Sequence, residues 1–374
     1  MTLSDAVPVQ LDFDLHGLVG IRLLDATESD ARSVSAQLGP IRAHLDRDPD
    51  IVVRFVDRLR TGHVRLLGLD DAGFTDDAFL VLRSKYKAPA RVKIPLDAIG
   101  ARPEIVCERG LPAIPLLVPI VNLTALANGA LPLHASAFVH RGTGVVATGW
   151  SKGGKTEALL AFSANGARYV GDEWVYVAAD GSRVSGIPEP VRVWDWHLHD
   201  LPAVRSRIGK GKRARLAAVR AVHSMGKRLT EGRRGAAART YRRALPVLER
   251  QLHVDVRPSE LFGKGQAAMD APFDRLIFVE SHDDESIRVR PIEPDEIARR
   301  MEFSLAYERL DFMGYYHKFR FAFPDRVSPL VENAARIERD RLETVLRGKP
   351  AFSVSHPYPV SLPALYAAME PVCR

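Results

Sequence analysis

The chain has 374 residues, is 46% hydrophobic and 26% charged, and carries a formal net charge of +7. This length accommodates two or three domains, and the composition is that of a globular protein, which excludes disordered and collagen-like classes. Its two cysteines, Cys107 and Cys373, are far apart in sequence and indicate neither a disulfide framework nor a cysteine metal cluster. With no signal-peptide pattern at the N-terminus, the protein is predicted to be cytoplasmic.

Residues 1–104 are predicted to form a small α+β domain. Alternating apolar residues predict strands in LDFDLHGLVGIRLL, IVVRFV and AFLVLR, and ESDARSVSAQLGPIRAHL has the pattern of an amphipathic helix. Proline, glycine and charged residues cluster in DAIGARPE, residues 97–104, which marks the expected boundary.

The stretch 110–133 carries no charged residue and could be mistaken for a membrane span. Four prolines interrupt it, and each removes a backbone donor that a lipid-facing helix could not easily replace. We therefore expect no membrane span, but a buried helix over 116–127 that ends at Asn128-Gly129.

Residues 105–374 are predicted to form an α/β domain. The strand ASAFVH, a turn, the strand VVATG, a helix from Lys155 and the strand ARYVGDEWVYVAADG follow in order. FDRLIFVE at 273–280 reads as a further buried strand, and EPDEIARRMEFSLAYERL as a helix. Residues 325–374, which include SPLVENAARIERDRLETVLRG, are expected to be closing helices of the same domain.

The positive charge is concentrated in residues 205–250, which hold 15 Lys or Arg and two Glu and leave the remainder at −6. This segment is predicted to be a helical insertion or flap interrupted at glycines 209, 211, 226, 232 and 235. Its charges could meet the acidic remainder of the protein or an anionic partner. An acidic substrate is favoured over nucleic acid, because Tyr241 is its single aromatic residue for base stacking.

The sequence GWSKGGKT at 149–156 matches the phosphate-loop pattern G-x-x-x-x-G-K-[ST] between a strand and a helix. Backbone N–H groups of such a loop cradle phosphates, the lysine reaches the β- and γ-phosphates, and the threonine hydroxyl binds Mg²⁺. The alternative is a glycine turn with an exposed lysine. The predicted nucleotide-binding residues are Gly149, Trp150, Ser151, Lys152, Gly153, Gly154, Lys155 and Thr156.

Three further residues flank this loop. Asp172 and Glu173 follow the next predicted strand, where a carboxylate can reach a phosphate-bound metal or take a hydroxyl proton. His134 stands 15 residues before Gly149 and has a side chain suited to proton transfer near neutral pH. The alternatives are a pair of surface acids and a structural histidine.

LPLHASAFVHRGTGVVATGWSKGGKTEALLAFSANGARYVGDEW resembles the catalytic core of the HPr kinase/phosphorylase family, which is related to the phosphoenolpyruvate carboxykinases. In that family a histidine opens the strand before the loop, G-K-S-E ends the loop, and Asp-Asp closes the next strand. His134, Lys155, Thr156, Glu157 and Asp172 match in order, and Glu173 replaces the second aspartate, which in the family takes the acceptor proton.

The resemblance implies a P-loop kinase core of HPr kinase and carboxykinase type, with ATP and Mg²⁺ bound at 149–157. It places Thr156, Glu157 and Asp172 at the metal, and it implies catalytic roles for Asp172, Glu173, His134 and Lys155. Either Glu173 or Asp172 could be the base that takes the acceptor proton, because glutamate is one methylene longer than the family's aspartate. It also allows a homo-oligomer, since members of the family assemble as oligomers.

The expected activity is transfer of the ATP γ-phosphate to a hydroxyl on a protein, a peptide or a small metabolite or sugar. HPr itself is not the expected acceptor, because GIPEPVRVWDWHLHDLP and the basic segment stand where the family has a glycine-rich signature. Arg192 in this stretch could reach a phosphate or be an ordinary surface residue. Two alternatives stay open: a nucleotide-binding regulatory module without turnover, and a binder of an anionic partner through residues 205–250.

Overall fold

A computed structural model of the protein describes residues 9–67, 72–83, 91–230, 245, 249, 251–263 and 265–374. The architecture is mixed α/β, with two large sheets, which confirms the predicted class at this level. Buried side chains of both sheets, together with those of the helices between them, form one large hydrophobic core, and a second core lies beneath the loop 149–156.

The first sheet has eight strands in the order β1-β2-β3-β8-β7-β6-β5-β4. One helix, α1 (Glu28–Leu38), begins at a capping box between Thr27 and Asp30. It is shorter than predicted because Gly39 follows it at φ 74° and Pro40 comes next. A 3₁₀ turn spans Leu96–Ala98. The strands are β1 (Val9–Leu15), β2 (Val19–Ala26), β3 (Ile51–Val56), β4 (Val64–Leu66), β5 (Ala72–Thr75), β6 (Leu80–Arg83), β7 (Arg91–Ile94) and β8 (Glu104–Glu108).

Helix α2 (Leu117–Ala127) lies within the uncharged stretch and ends at Asn128, as predicted. Seven of its residues are buried, including Leu117, Ile120 and Leu126, so its apolar character is accounted for by packing. Within the described ranges, no helix is both long enough and apolar enough to cross a bilayer.

The second sheet has nine strands in the order β16-β13-β12-β9-β10-β17-β19-β18, with β11 also paired to β9. Strands β10, β17 and β19 run parallel, so their carboxyl ends lie at one edge, where ligands of open α/β sheets bind. Its strands are β9 (Leu131–His140), β10 (Thr143–Thr148), β11 (Arg168–Gly171), β12 (Trp174–Val177), β13 (Arg183–Gly186), β16 (Asp270–Pro272), β17 (Arg275–His282), β18 (Arg288–Pro291) and β19 (Ala351–Pro357).

Two differences from the predicted strands bear on the site. The segment ARYVGDEWVYVAADG forms two strands instead of one, because the chain turns at Asp172 and at Glu173, which has φ 63°. Strand β19 lies in a segment predicted to be helical, and it extends the row of parallel strands beside β17.

A separate two-stranded sheet pairs β14 (Val191–Trp194) with β15 (His253–Val256). The remaining helices are α3 (Lys155–Ser163), α4 (His197–Asp200), α5 (Pro202–Arg207), α6 (Lys210–Thr230), α7 (Pro258–Leu261), α8 (Pro294–Glu308), α9 (Leu310–Ala322), α10 (Pro329–Leu346), α11 (Leu362–Met369) and the 3₁₀ turn Glu370–Val372.

The basic segment is helical in α5 and α6, and residues 231–244, 246–248 and 250 lie outside the described part. The predicted interruptions at Gly211 and Gly226 are wrong, since α6 runs through both. An interior glycine costs a helix about 1 kcal/mol relative to alanine but does not forbid it. Several of its cations bond to this same chain: Arg207 donates to Glu260 O, Arg215 to His253 O, and Arg220 pairs with Asp195.

Candidate active site

The loop 149–154 joins the carboxyl end of β10 to the first residue of α3, the strand-loop-helix order predicted for a phosphate site. Two of its glycines allow close approaches that no side chain would permit. A Cβ on Gly149, at φ 156°, would lie 2.2 Å from Val279 O. A Cβ on Gly154, at φ 111°, would lie 2.0 Å from His356 Nε2. The conformation of the loop therefore depends on both glycines.

Lys155 is buried at the N-terminus of α3, and its side chain folds back over the loop. Its Nζ donates hydrogen bonds to the carbonyl oxygens of Trp150, at 2.9 Å, and of Gly149, at 3.3 Å. Burial lowers the pKa of Lys155 despite the nearby charges of Glu173 and Asp172. A partly desolvated ammonium of this kind gains strongly from an anionic ligand.

Asp172 is buried behind the loop and connects α3 to β9. Its carboxylate accepts a short hydrogen bond from Ser136 Oγ, and Thr156 Oγ1 lies 3.3 and 3.4 Å from its two oxygens. Burial, together with the charge of Glu173, raises the pKa of Asp172 to about 7. Thr156 and Asp172, both predicted as metal ligands, are thus brought into contact.

His134 is buried between two carboxylates and stacks on Trp174 with the ring centroids 5.6 Å apart. Its Nε2 lies 3.1 Å from Glu173 Oε2, and its Nδ1 lies 2.8 Å from Glu308 Oε1. Two carboxylates within ion-pair distance of one imidazole ring favour its charged form. Burial alone would lower the pKa of His134, but the two carboxylates outweigh it and the net shift is upward.

Glu157 lies beside Thr156 on α3 and is paired with a histidine. His197 Nε2 lies 3.2 Å from Glu157 Oε1, and both side chains are buried. The backbone N–H of Trp194 donates to His197 Nδ1 at 3.0 Å, which makes Nδ1 an acceptor and leaves the ring proton on Nε2, facing Glu157. His197 therefore orients the Glu157 carboxylate.

A cavity of about 860 Å³ opens over the loop, within the size range of small-molecule sites. Of the predicted residues, Asp172 lies behind this cavity, and Trp150 packs instead against Tyr307 at 5.0 Å between ring centroids. Arg192 reaches the cavity from β14, where it is 3.5 Å from Asp255. Predicted residues that line the cavity are His134, Ser151, Lys152, Gly154, Lys155, Thr156, Glu157 and Glu173.

The oxygen atoms around Thr156 suit a magnesium ion. Hydroxyl and carboxylate oxygens are hard donors, and Mg²⁺ is commonly held by one or two carboxylates together with phosphate oxygens. Burial, followed by the charges of Glu173 and Asp172, raises the pKa of the nearby Glu189 to about 8. In the part of the chain that the structure describes, no group of three or more His, Cys, Asp or Glu could hold a metal alone. The residues present thus fit Mg²⁺ bound jointly with phosphate.

Four site residues were missed by the sequence analysis: Ser136, His197, Glu308 and His356. His356 is buried and its Nε2 lies 3.2 Å from Gly153 O, next to the loop. Serine, glutamate and histidine at these positions belong to no local motif, because each comes to the site from a different element. Ser136 alone had an indirect signal, since it stands two residues after His134 on the same predicted strand.

Comparisons with known proteins do not assign a family. No protein-family model matches the chain, and no curated protein matches it. The arrangement of side chains around the loop 149–156 is therefore the basis for the activity proposed next.

Proposed function

We propose that the protein is a Mg²⁺-dependent phosphotransferase that moves the γ-phosphate of ATP to a hydroxyl acceptor. We further propose that residues 105–374 have a P-loop core of the HPr kinase type. One observation carries the proposal: the hydroxyl of Thr156, which ends the phosphate-loop motif, contacts the carboxylate of Asp172 from the turn after β11. This pairs a phosphate-binding element with an acidic residue at the edge where β10 and β17 end.

The loop would hold the phosphates of the nucleotide. Its backbone N–H groups and the N-terminus of α3 favour negative charge, and Lys155 would exchange its two carbonyl contacts for phosphate oxygens. Thr156 and Asp172 would hold Mg²⁺, with Glu157 oriented nearby by His197. When bound, the ion neutralises charge that develops on the phosphate oxygens.

Glu173 would face the acceptor, because 57% of its side chain is exposed whereas Asp172 is buried. Its carboxylate would take the proton of the acceptor hydroxyl as the new P–O bond forms and the bond from the γ-phosphorus to ADP breaks. His134 would hold Glu173 in place as an imidazolium, and the hydrogen bond from His134 lowers the pKa of Glu173. The acceptor is a protein or peptide hydroxyl or a small metabolite, and not HPr.

The first test is calorimetric titration of Mg-ATP and Mg-ADP into wild type and Lys155→Ala. Binding should be lost in Lys155→Ala and kept in the control Lys93→Ala, whose lysine pairs with Asp77 beside the first sheet. Failure of wild type to bind either nucleotide would overturn the proposal.

A second test concerns transfer. Acceptor hydroxyls are screened with labelled ATP, and Asp172→Asn should retain nucleotide while turnover falls by about 10²- to 10³-fold, the scale of losing one group that stabilises charge in the transition state. Nucleotide binding in wild type, together with a partner response that Asp172→Asn leaves unchanged, would point instead to a regulatory module without turnover.

A further inference from the structure

The cavity over the phosphate loop is also lined by aromatic side chains. Trp194, Trp196 and Tyr358 line it together with Arg192, although none belongs to the loop. Ligand sites combine such aromatic walls with a few fixed polar groups. A triphosphate held by the loop would leave these aromatic side chains free to contact another part of the ligand.

Trp194 faces the cavity because successive side chains of strand β14 point to opposite faces of the strand. Val191 and Val193 are buried in the second core, so Arg192 and Trp194 project from the opposite face. Both of these side chains line the cavity. A cation and an aromatic ring therefore stand side by side on one strand, facing the loop.

Two buried histidines connect the other two rings to the loop. Trp196 precedes His197, which pairs with Glu157, and the two rings are 3.9 Å apart at their centroids. Tyr358 follows His356, which contacts Gly153 O. Two residues of extended chain span about 7 Å, so Tyr358 stands at roughly that distance along the chain from the anchored histidine.

The rings of Trp196 and Tyr358 form a corner. Their centroids are 5.7 Å apart and their planes meet at 84°. A planar ligand that stacks on one ring presents its edge to the other, an arrangement that aromatic groups favour. Tyr358 is 50% exposed, which leaves its ring available to a ligand.

We propose that this aromatic corner, with Trp194 beside it, binds the nucleobase of the nucleotide whose phosphates the loop 149–156 holds. The inference rests on the proposed function for the phosphates and adds a base subsite to it. Arg192 lines the same cavity and its charge acts on Glu173, so it lies where it can contact the phosphates of the same ligand. The site therefore selects a nucleotide over inorganic polyphosphate.

The test compares Mg-ATP with Mg-tripolyphosphate, which has the phosphates but no base. Calorimetry is carried out on wild type, Trp196→Ala, Tyr358→Ala and the control Phe321→Ala, which removes an aromatic ring that is 79% exposed and does not line the cavity. Loss of a base–aromatic stack should weaken ATP about 10-fold to 100-fold in the two cavity variants. The affinity for tripolyphosphate should change less than about twofold in the same variants. Phe321→Ala should leave the affinities for ATP and for tripolyphosphate unchanged.

Equal weakening of both ligands in the cavity variants, or no weakening of ATP, would overturn the base subsite while leaving the phosphate loop intact. Loss of tripolyphosphate binding in Lys155→Ala reports on the phosphate loop separately. If wild type binds neither ligand, the proposed function and this inference both fail.

Because the Trp196 ring covers His197, Trp196→Ala could disturb folding, and Tyr358→Ala together with Trp196→Phe then provides the test. Trp196→Phe should retain most of the ATP affinity. Quenching of tryptophan fluorescence in the wild type by ATP, but not by tripolyphosphate, is an independent measurement of the same contact.

Discussion

His356 Nε2 lies 3.2 Å from the carbonyl oxygen of Gly153, although 203 residues separate the two in sequence. The histidine is fully buried at the carboxyl end of β19, and its ring fills the space into which a side chain on Gly154 would project. The phosphate-loop motif is thus shaped by a residue that the motif does not contain. The space available to the loop is therefore limited by His356 at Gly154.

The first prediction concerns Gly154→Ala. The new Cβ would stand 2.0 Å from His356 Nε2 at φ 111°, so the loop or the histidine must move. We expect loss of phosphate binding and a decrease in the free energy of unfolding of at least about 1–3 kcal/mol, the cost of a strained backbone residue. Urea denaturation measures the decrease. Gly166→Ala is the matched control, since it has φ 79° and nothing within 4 Å, and equal losses in the two variants would contradict the clash.

The second prediction is a pH dependence set by Glu308. Because the folded-state pKa of His134 is raised, its stabilising contribution is present below the unfolded pKa, about 6.5, and is lost as pH rises through the folded pKa. Glu308→Gln removes one of the two carboxylates, so the folded-state pKa of His134 should fall. The pH range between the unfolded and folded pKa values of His134, over which the stabilisation is lost, should then be narrower. Ring ¹⁵N shifts of His134 against pH, with unfolding measured over the same range, provide the test.

Glu285→Gln, which removes an exposed carboxylate on the loop before β18, is the control for Glu308→Gln and should leave the His134 titration unchanged. An unchanged ¹⁵N titration in Glu308→Gln would mean that Glu308 does not act on His134.

The third prediction concerns the buried pair of Glu157 and His197. His197→Ala leaves the Glu157 carboxylate without its N–H donor and the Trp194 N–H without its acceptor. Each buried group left unsatisfied costs about 1–3 kcal/mol, so the unfolding midpoint should fall clearly. Adding Glu157→Gln should recover part of this loss by removing the buried charge. A double variant no more stable than His197→Ala would show that the charge is not the cause.

The fourth prediction concerns an ion pair between the junction of α8 with α9 and the helix α10. Arg309, the residue before α9, pairs with Glu338, and their side chains are 12% and 10% exposed. Arg309→Met should cost about 3–5 kcal/mol because it leaves a buried carboxylate unpaired. The double variant Arg309→Met with Glu338→Leu should lose much less. Thermal unfolding of Arg309→Met, Glu338→Leu and the double variant gives the interaction energy between the two side chains. Losses of stability that simply add in the double variant would contradict the predicted interaction.

The sequence predicts those parts of the site that are continuous in the chain. The strand before the loop, the helix from Lys155 and the position of Asp172 after β11 follow from patterns within about 25 residues. His197 and Glu308 could not be found in this way, because they act through residues 40 or more positions away. Only tertiary packing brings these residues together.

Strand β19 shows a different limit of sequence patterns. Pro350 precedes it, Pro357 is its last residue and Pro359 follows it, and prolines usually mark loops and turns. Its strand conformation is stabilised by pairing with β17 on one side and β18 on the other, which no local pattern records. His356 lies on this strand. The incorrect prediction of a helix here and the failure to identify His356 therefore have the same cause.

The position of β19 also orders events during synthesis of the chain. The ribosome completes the strand β10, the loop and α3 long before it reaches residue 356, and until then Gly153 has no histidine beside it. The first sheet, whose strands all precede residue 109, can pair while the second still lacks an inner strand. Under the proposed function, the nascent chain would therefore bind nucleotide only after β19 has been made.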